Sequence, residues 1–207
     1  MQYLIIGGNF IQGEENLKLL KDKRLLIGMF IFIFIIIFLI IFKDKLLKMV
    51  YPKTYNEIVS IYAEKYEVDN NLIFAVIKAE SNFNSQAVSN KSAIGVMQIV
   101  EETAIDVAKK NGINLDGENV EQELLKVDNN INIGTKYLST LINKYKNIEV
   151  SLAAYNAGIG TVDNWIEKGI IKSDGSDIEN IQYKETNNYV RKILRDYKIY
   201  NYLYEKS

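Results

Sequence analysis

The sequence predicts an all-α, or α-dominated, domain preceded by one N-terminal transmembrane helix. Three observations lead there. Residues 25–42 form an uncharged apolar run. Apolar residues further on recur at helical spacing. No alternating strand pattern of useful length and no internal repeat is visible.

The apolar run, LLIGMFIFIFIIIFLIIF, is 18 residues without a charge. At about 1.5 Å rise per residue it makes roughly 27 Å of helix, close to the ~30 Å hydrocarbon core of a bilayer. Arg24 and Lys43 bracket it and can reach the headgroups. A secretory signal has a shorter apolar region, about 7–15 residues, and a small-residue cleavage site. Here the run ends in Phe-Lys-Asp-Lys, so a retained anchor is expected. Lys18, Lys21, Lys23 and Arg24 precede it, and Lys43, Lys45 and Lys48 follow. Four basic residues against three leave the orientation open. Residues 1–24 read as a short cytoplasmic tail, or as the product of a start codon placed too early. Residues 43–53 read as a basic juxtamembrane linker near Pro52, the only proline.

Residues 54–207 then form the main domain, long enough for a single core. Residues 43–207 carry a net charge of −2 and contain no basic block, so nucleic acid is not an expected partner. The chain has no cysteine and no histidine. Disulfides, thiol nucleophiles, Ser-His triads and histidine-ligated metals are thereby excluded. Chemistry must come from carboxylates, hydroxyls, amides or amines.

Thr54 is placed to cap a first helix, in which Ile58, Ile61, Tyr62 and Tyr66 recur at helical spacing. Asp69 or Asn70 can cap the next, over 71–81, whose stripe Ile73, Val76 and Ile77 continues into Glu80. A polar loop over 82–93 leads to the apolar GVMQIV. Further helices are predicted over 102–110, stopped by Asn111-Gly112, and as a turn or two over 120–125. A stronger helix begins at Asp128, with Ile131, Gly134, Leu138, Leu141 and Tyr145 on one face. Helices over 148–157 and 161–167 follow, the latter holding the only tryptophan, Trp165. After a loop over 170–183, a last helix spans 185–203 with Tyr189, Val190, Ile193, Leu194 and Tyr197 inward.

Glu80 carries the first chemical signal. Its place on an apolar stripe implies desolvation, which disfavours the carboxylate. Its place at a helix C-terminus adds repulsion from the macrodipole. Both raise its pKa, as a general acid requires; a solvated end-of-helix glutamate is the competing reading. Gln98 interrupts an apolar run, as a satisfied buried amide or as a ligand contact. Singly, Ser89 is a loop serine, Tyr155-Asn156 a helix end, and Glu185 an acid at a helix start.

The order of these residues carries more than any one of them. Glu80-Ser81-x-Phe83, Ala87-x-Ser89, Gly95-Val96-Met97-Gln98-Ile99 and Thr103-Ala104 come first. Asn130-Ile131-x-x-Gly134-x-x-Tyr137-Leu138 follows, then Ala153-Ala154-Tyr155-Asn156-Ala157-Gly158, Val162 and Trp165. Glu185-Thr186-x-x-Tyr189-Val190 closes the series. Together they resemble the lytic transglycosylases of the soluble type, whose fold is related to goose-type lysozyme. The likeness covers roughly residues 55–204. Ser92 stands where the family usually has glycine, Val96 where it has leucine, and Glu101 and Gln182 where it has prolines.

The resemblance implies a lysozyme-like domain that cleaves peptidoglycan glycan strands, with Glu80 as the catalytic acid/base. Ser89, Gln98, Tyr155 and Glu185 match substrate-binding positions, and Ser81, Met97 and Asn156 positions that shape the site. It implies no metal and no cofactor, and leaves protein partners open. Because peptidoglycan lies outside the cytoplasmic membrane, it also sets the expected topology: N-terminus inside, catalytic domain on the wall side. A muramidase on the same fold and a non-catalytic glycan-binding module are the rival expectations. The muramidase would need a carboxylate base opposite Glu80; Asp106, Asp128 and Asp163 exist, but no spacing demands this role of them.

Overall fold

A computed structural model describes the backbone of residues 3–205 and the side chains from Lys23 onward. It divides into two compact units, residues 1–50 and 51–207.

The first unit is one helix, α1 (Tyr3–Val50). Within it Lys23–Val50 is long and apolar enough to cross a membrane, and its apolar side chains are exposed. The helix extends past the predicted span at both ends. Nothing in KDKLLKMV breaks it until Pro52, which disfavours helical backbone at the residue before it. Of the predicted tail, residues 1–24, the side chains of residues 1–22 lie outside the described residues.

The second unit begins earlier than the sequence suggested. Tyr51 is buried and donates through Oη to Asp196 Oδ1 at 3.2 Å. Tyr204 Oη donates to Tyr51 O at 2.8 Å, and Tyr200 Oη to Pro52 O at 3.0 Å. Residues 51–53 are therefore built into the globular unit rather than serving as a linker. Tyrosine hydroxyls reaching backbone 148 and 153 residues away leave no local signal in the sequence.

The remaining helices are α2 (Asn56–Tyr66), α3 (Asn70–Glu80), α4 (Glu101–Asn111), α5 (Val120–Leu125) and α6 (Val127–Tyr145). They continue with α7 (Ile148–Ala157), α8 (Ile159–Glu167) and α9 (Lys184–Tyr204), with a 3-10 turn at Ile178–Asn180. The core surrounds α3, in which Leu72 to Ile77 are all buried, so this helix is enclosed on every side. It packs on α9 and α2, while α7 joins α6 to α9.

Local signals fixed most boundaries. Asp69 Oδ1 accepts from Asn71 N at 2.8 Å and Leu72 N at 3.0 Å, starting α3. Asn147 Oδ1 accepts from Val150 N at 2.9 Å, starting α7. Gly112, at φ 63°, ends α4. Thr54 does not cap α2; Tyr55 precedes it in the left-handed region, without a side-chain cap. The buried face of α2 is Val59, Tyr62 and Ala63, and Ile61 is 58% exposed.

A small antiparallel hairpin pairs β1 (Ala93–Ile94) with β2 (Ile99–Val100), in register Ala93 to Val100 and Ile94 to Ile99. Strands of two residues cannot show a period of two, which is why the pattern missed them. Asn130, on α6, holds the hairpin. Its Oδ1 accepts from Met97 N, and its Nδ2 donates to Ile94 O and Leu124 O, each at 2.8 Å. Gly134 lets Met97 lie against α6: a Cβ there would stand 2.6 Å from Met97 Sδ.

Ser92, where the resemblance places a glycine, has φ 57°. A side chain in this region costs roughly 1–2 kcal/mol, and glycine gives back about 0.5–1 kcal/mol in unfolded-chain entropy. Ser92→Gly is thus expected to stabilise the fold by about 0.5–1 kcal/mol, read as a rise in melting temperature. A lower melting temperature would show that the Ser92 side chain holds the loop.

Candidate active site

The last residue of α3 opens onto a cleft of about 540 Å³. Glu80, Ser89, Gln98, Tyr155, Asn156 and Glu185 all line it, joined by Tyr137. The end of α3, the loop and hairpin that follow, Tyr137 of α6 and the facing ends of α7 and α9 converge there. The predicted shaping residues Ser81 and Met97 stand behind this wall.

Glu80 is half-buried, and its Oε1 accepts from Tyr189 Oη at 2.5 Å. Burial pushes its carboxyl up to about 7 from an ordinary value of 4.5, against the Tyr189 hydrogen bond and the charge of Lys192. With Oε1 taken by Tyr189, Oε2 is left to carry the proton. The helix-end repulsion expected from sequence is offset, because Lys192 Nζ donates to Ala79 O at 3.0 Å. Desolvation is the cause that holds.

The neighbouring hydroxyls stay protonated. Burial, then the Glu80 charge, pushes Tyr155 and Tyr189 well above the ordinary tyrosine value. Tyr155 Oη donates to Met97 O at 2.9 Å and its ring packs against Tyr137, centroids 5.2 Å apart. Met97 is buried, so it supplies the backbone oxygen that places Tyr155. Ser81 Oγ donates to Val96 O at 2.8 Å, joining the end of α3 to the hairpin.

Ser89 Oγ accepts from Lys91 N at 3.2 Å and Ala93 N at 3.0 Å, so its own proton remains to be donated. Gln98 is a satisfied amide that also lines the cleft. Nε2 donates to Ala87 O at 3.1 Å and Gly95 O at 3.0 Å, while the side chain lines the cleft with Oε1 as acceptor. Asn156 Oδ1 accepts from Thr186 Oγ1 at 2.7 Å, clamping α7 to α9. Glu185 sits at the cleft mouth, 72% exposed, and pairs with Lys91 at 3.3 Å.

Sequence reasoning missed Tyr189, Tyr137 and Lys91 as site residues. Tyr189 lies one helical turn after Glu185, a spacing that puts both on one face of α9. The helical pattern places it inward, and its side chain is half-buried. The three aspartates offered as alternative bases line no part of the cleft. Asp106 pairs with Lys110, Asp128 accepts from Tyr62 Oη, and Asp163 pairs with Lys144 and Tyr145. Among the described residues no group of three or more acidic side chains could hold a metal ion.

Tyr189→Phe removes a hydrogen bond that favours the ionised carboxyl, so the Glu80 pKa rises further above about 7. The alkaline limb of any Glu80-dependent activity then moves to higher pH. An unmoved limb would mean that Tyr189 does not tune the acid.

Comparison with known proteins agrees with this geometry. The family model "Transglycosylase SLT domain" matches residues 57–176. The soluble lytic murein transglycosylase of Escherichia coli K12 is 32% identical over 154 residues, covering 73% of this chain and 24% of that protein. Membrane-bound lytic murein transglycosylase C of Photorhabdus laumondii is 40% identical over 108 residues, covering 47% of this chain and 29% of that one. The chain thus spans about a quarter of the length of these curated relatives. Among solved structures, the lytic transglycosylase Slt of Pseudomonas aeruginosa, as an inactive Glu-to-Gln mutant, superposes with TM-score 0.68 at 31% identity. It covers 75% of this chain and 25% of its own. The 70 kDa soluble lytic transglycosylase of Escherichia coli gives 0.67 at 31% identity, with the same coverage. The family model spans every cleft-lining residue except Glu185, and covers more than half of the chain: this chain belongs to the SLT-domain transglycosylases.

Proposed function

We propose that this chain is a membrane-anchored peptidoglycan lytic transglycosylase with Glu80 as its single acid/base. The observation that carries the reading is a half-buried carboxyl, raised to about 7, in a cleft that among the described residues has no other carboxylate except the ion-paired Glu185. The inactive Glu-to-Gln Pseudomonas aeruginosa mutant supports it, as do the relatives named for murein.

Glu80 Oε2–H gives its proton to the β-1,4 oxygen between N-acetylmuramic acid and N-acetylglucosamine, and the C1–O bond breaks. The acetamido oxygen of the substrate supports the developing positive charge, so a second enzyme carboxylate is not required. The ionised Glu80 then takes the proton of the muramyl C6 hydroxyl as O6 bonds to C1. The products are a 1,6-anhydromuramyl end and a free 4-hydroxyl, with no water consumed and the acid restored. Ser89 donates to substrate oxygens, Gln98 Oε1 accepts from an amide or hydroxyl, and Tyr155 lines the sugar. Glu185 and Lys91 border the mouth, and Asn156 keeps α7 and α9 in place.

Residues 25–42 serve as the single-pass anchor in the bacterial cytoplasmic membrane. Residues 51–207 form the catalytic domain on the cell-wall side, three residues longer than the predicted 54–207. Protease added to intact cells should digest that domain; complete resistance would refute the topology. Incubating the full chain with purified sacculi should release soluble muropeptides. No release at any pH between about 5 and 8 would refute the lytic reading, since Glu80 is substantially protonated over most of that range.

A further inference from the structure

A second concavity, of about 610 Å³, lies between α2, α6 and the loop after α4. Its lining includes Lys65, Tyr66, Asn111, Asn114, Asn129, Asn132 and Lys136. On α6, residues 129, 132 and 136 stand roughly 130° around the helix from 130, 134 and 137, which face the hairpin and cleft. This is a separate face of the domain.

Its chemistry is specific. Lys65 and Lys136 both lie against the Tyr66 ring, their Nζ atoms 5.0 and 5.4 Å from its centroid. Among the described residues neither ammonium has a carboxylate partner within 4.0 Å. Both lysines line the same concavity, so their positive charge is available to an anionic group bound there.

The amides around them are pinned at one end. Tyr66 Oη donates to Asn132 Oδ1 at 2.5 Å, leaving Asn132 Nδ2 as a donor. Asn111 Nδ2 is taken by Val107 O at 2.8 Å, and Asn129 Nδ2 by Glu123 Oε2 at 2.5 Å, leaving each Oδ1 as an acceptor. Oriented donors and acceptors interspersed suit hydroxyl and acetamido groups, which both give and take hydrogen bonds. The volume falls within the ~300–1,000 Å³ of small-ligand sites.

We infer that this concavity is a second saccharide site, binding a carboxylate-bearing segment of glycan with Lys65 and Lys136 on the carboxylate. Its identification with wall glycan rests on the lytic reading above; the chemistry of the site does not. Such a site holds a strand on the domain while the cleft acts on a different stretch, raising the local concentration of scissile bonds.

The test titrates the full chain, in detergent micelles, with the disaccharide N-acetylglucosaminyl-N-acetylmuramic acid, which lacks the scissile linkage and carries a lactyl carboxylate. Two binding events are expected. Lys65→Ala with Lys136→Ala should remove one, or weaken it at least about tenfold, the loss of one good charge-assisted contact. Lys65→Arg with Lys136→Arg should keep both, separating lost charge from lost fold. Neutral chitobiose should show no lysine-dependent event. A single event, or two that ignore the lysines, would overturn the proposal. So would a lysine-dependent event seen only with a glycerol phosphate oligomer, which would make the ligand a phosphate polymer. A chain that releases nothing from sacculi but shows the lysine-dependent event would refute the lytic reading and leave this site standing.

Discussion

Glu80→Gln is expected to lower glycan cleavage by about 10²–10⁴-fold, the range that a positioned general acid supplies. Glutamine keeps the shape and can still accept from Tyr189, but has no proton of suitable acidity to give. The wild-type rate should fall as pH rises through about 7, because the acid must be protonated to begin the cycle. Stability should move with it. The folded-state pKa lies above the unfolded one, so the stabilising contribution is complete below about pH 4.5 and is lost as pH rises to about 7. The loss reaches up to about 3 kcal/mol if the full shift is realised. Glu80→Gln should therefore be more stable than wild type at pH 8, and close to it at pH 4.5. Zymograms with peptidoglycan and melting curves at the two pH values check both parts. Equal lysis by the variant would remove Glu80 from the chemistry.

Gly95→Ala carries the second large effect, on the fold and through it on the site. Gly95 has φ 76°, and an added Cβ would lie 2.3 Å from Asn130 Nδ2 and 2.5 Å from Leu124 O. Alanine must therefore displace the Asn130 side chain, which makes three buried hydrogen bonds, two to the hairpin and one to Leu124 of α5. Each bond left unmade costs about 1–3 kcal/mol, and the backbone adds about 1 kcal/mol more. A total of at least about 4 kcal/mol is expected, large for a single substitution. Because Met97 O holds Tyr155 and Gly95 O holds Gln98, cleavage should fall as well. Gly112→Ala is the control: its φ is 63°, but nothing lies within 4 Å of the added Cβ. It should cost only about 1 kcal/mol, the backbone part alone. Denaturant melts of the two variants make the comparison, and equal losses would show that Asn130 does not pin the hairpin.

What the sequence showed and what it concealed follow from the range of the interactions. Glu80 was legible because a 3.6-residue period and a capped start at Asp69 placed it at the end of a buried helix. The bounds of α7 and the stop at Gly112 were legible for the same reason: caps and glycines act within one turn. Tyr189 was not, because its partner lies 109 residues away and its ring fits an ordinary core position. Nor was Lys192, whose carbonyl partner lies across α3. The docking of Tyr51 and Pro52 on α9 failed to show for the same reason. Single-face periodicity also misread α2, where Val59 rather than Ile61 turned inward, since an apolar residue at helical spacing does not say which face is covered. The cleft was foreseen as a set of residues through their ordered resemblance to a family. Its geometry was supplied by contacts that no local pattern encodes.

Mass spectrometry of the fragments released from purified peptidoglycan by the full chain tests the single-acid mechanism most directly. Fragments ending in 1,6-anhydromuramic acid, lighter by one water than reducing-end fragments, are the expected product. Reducing-end fragments as the main product would contradict it and establish hydrolysis on this fold instead.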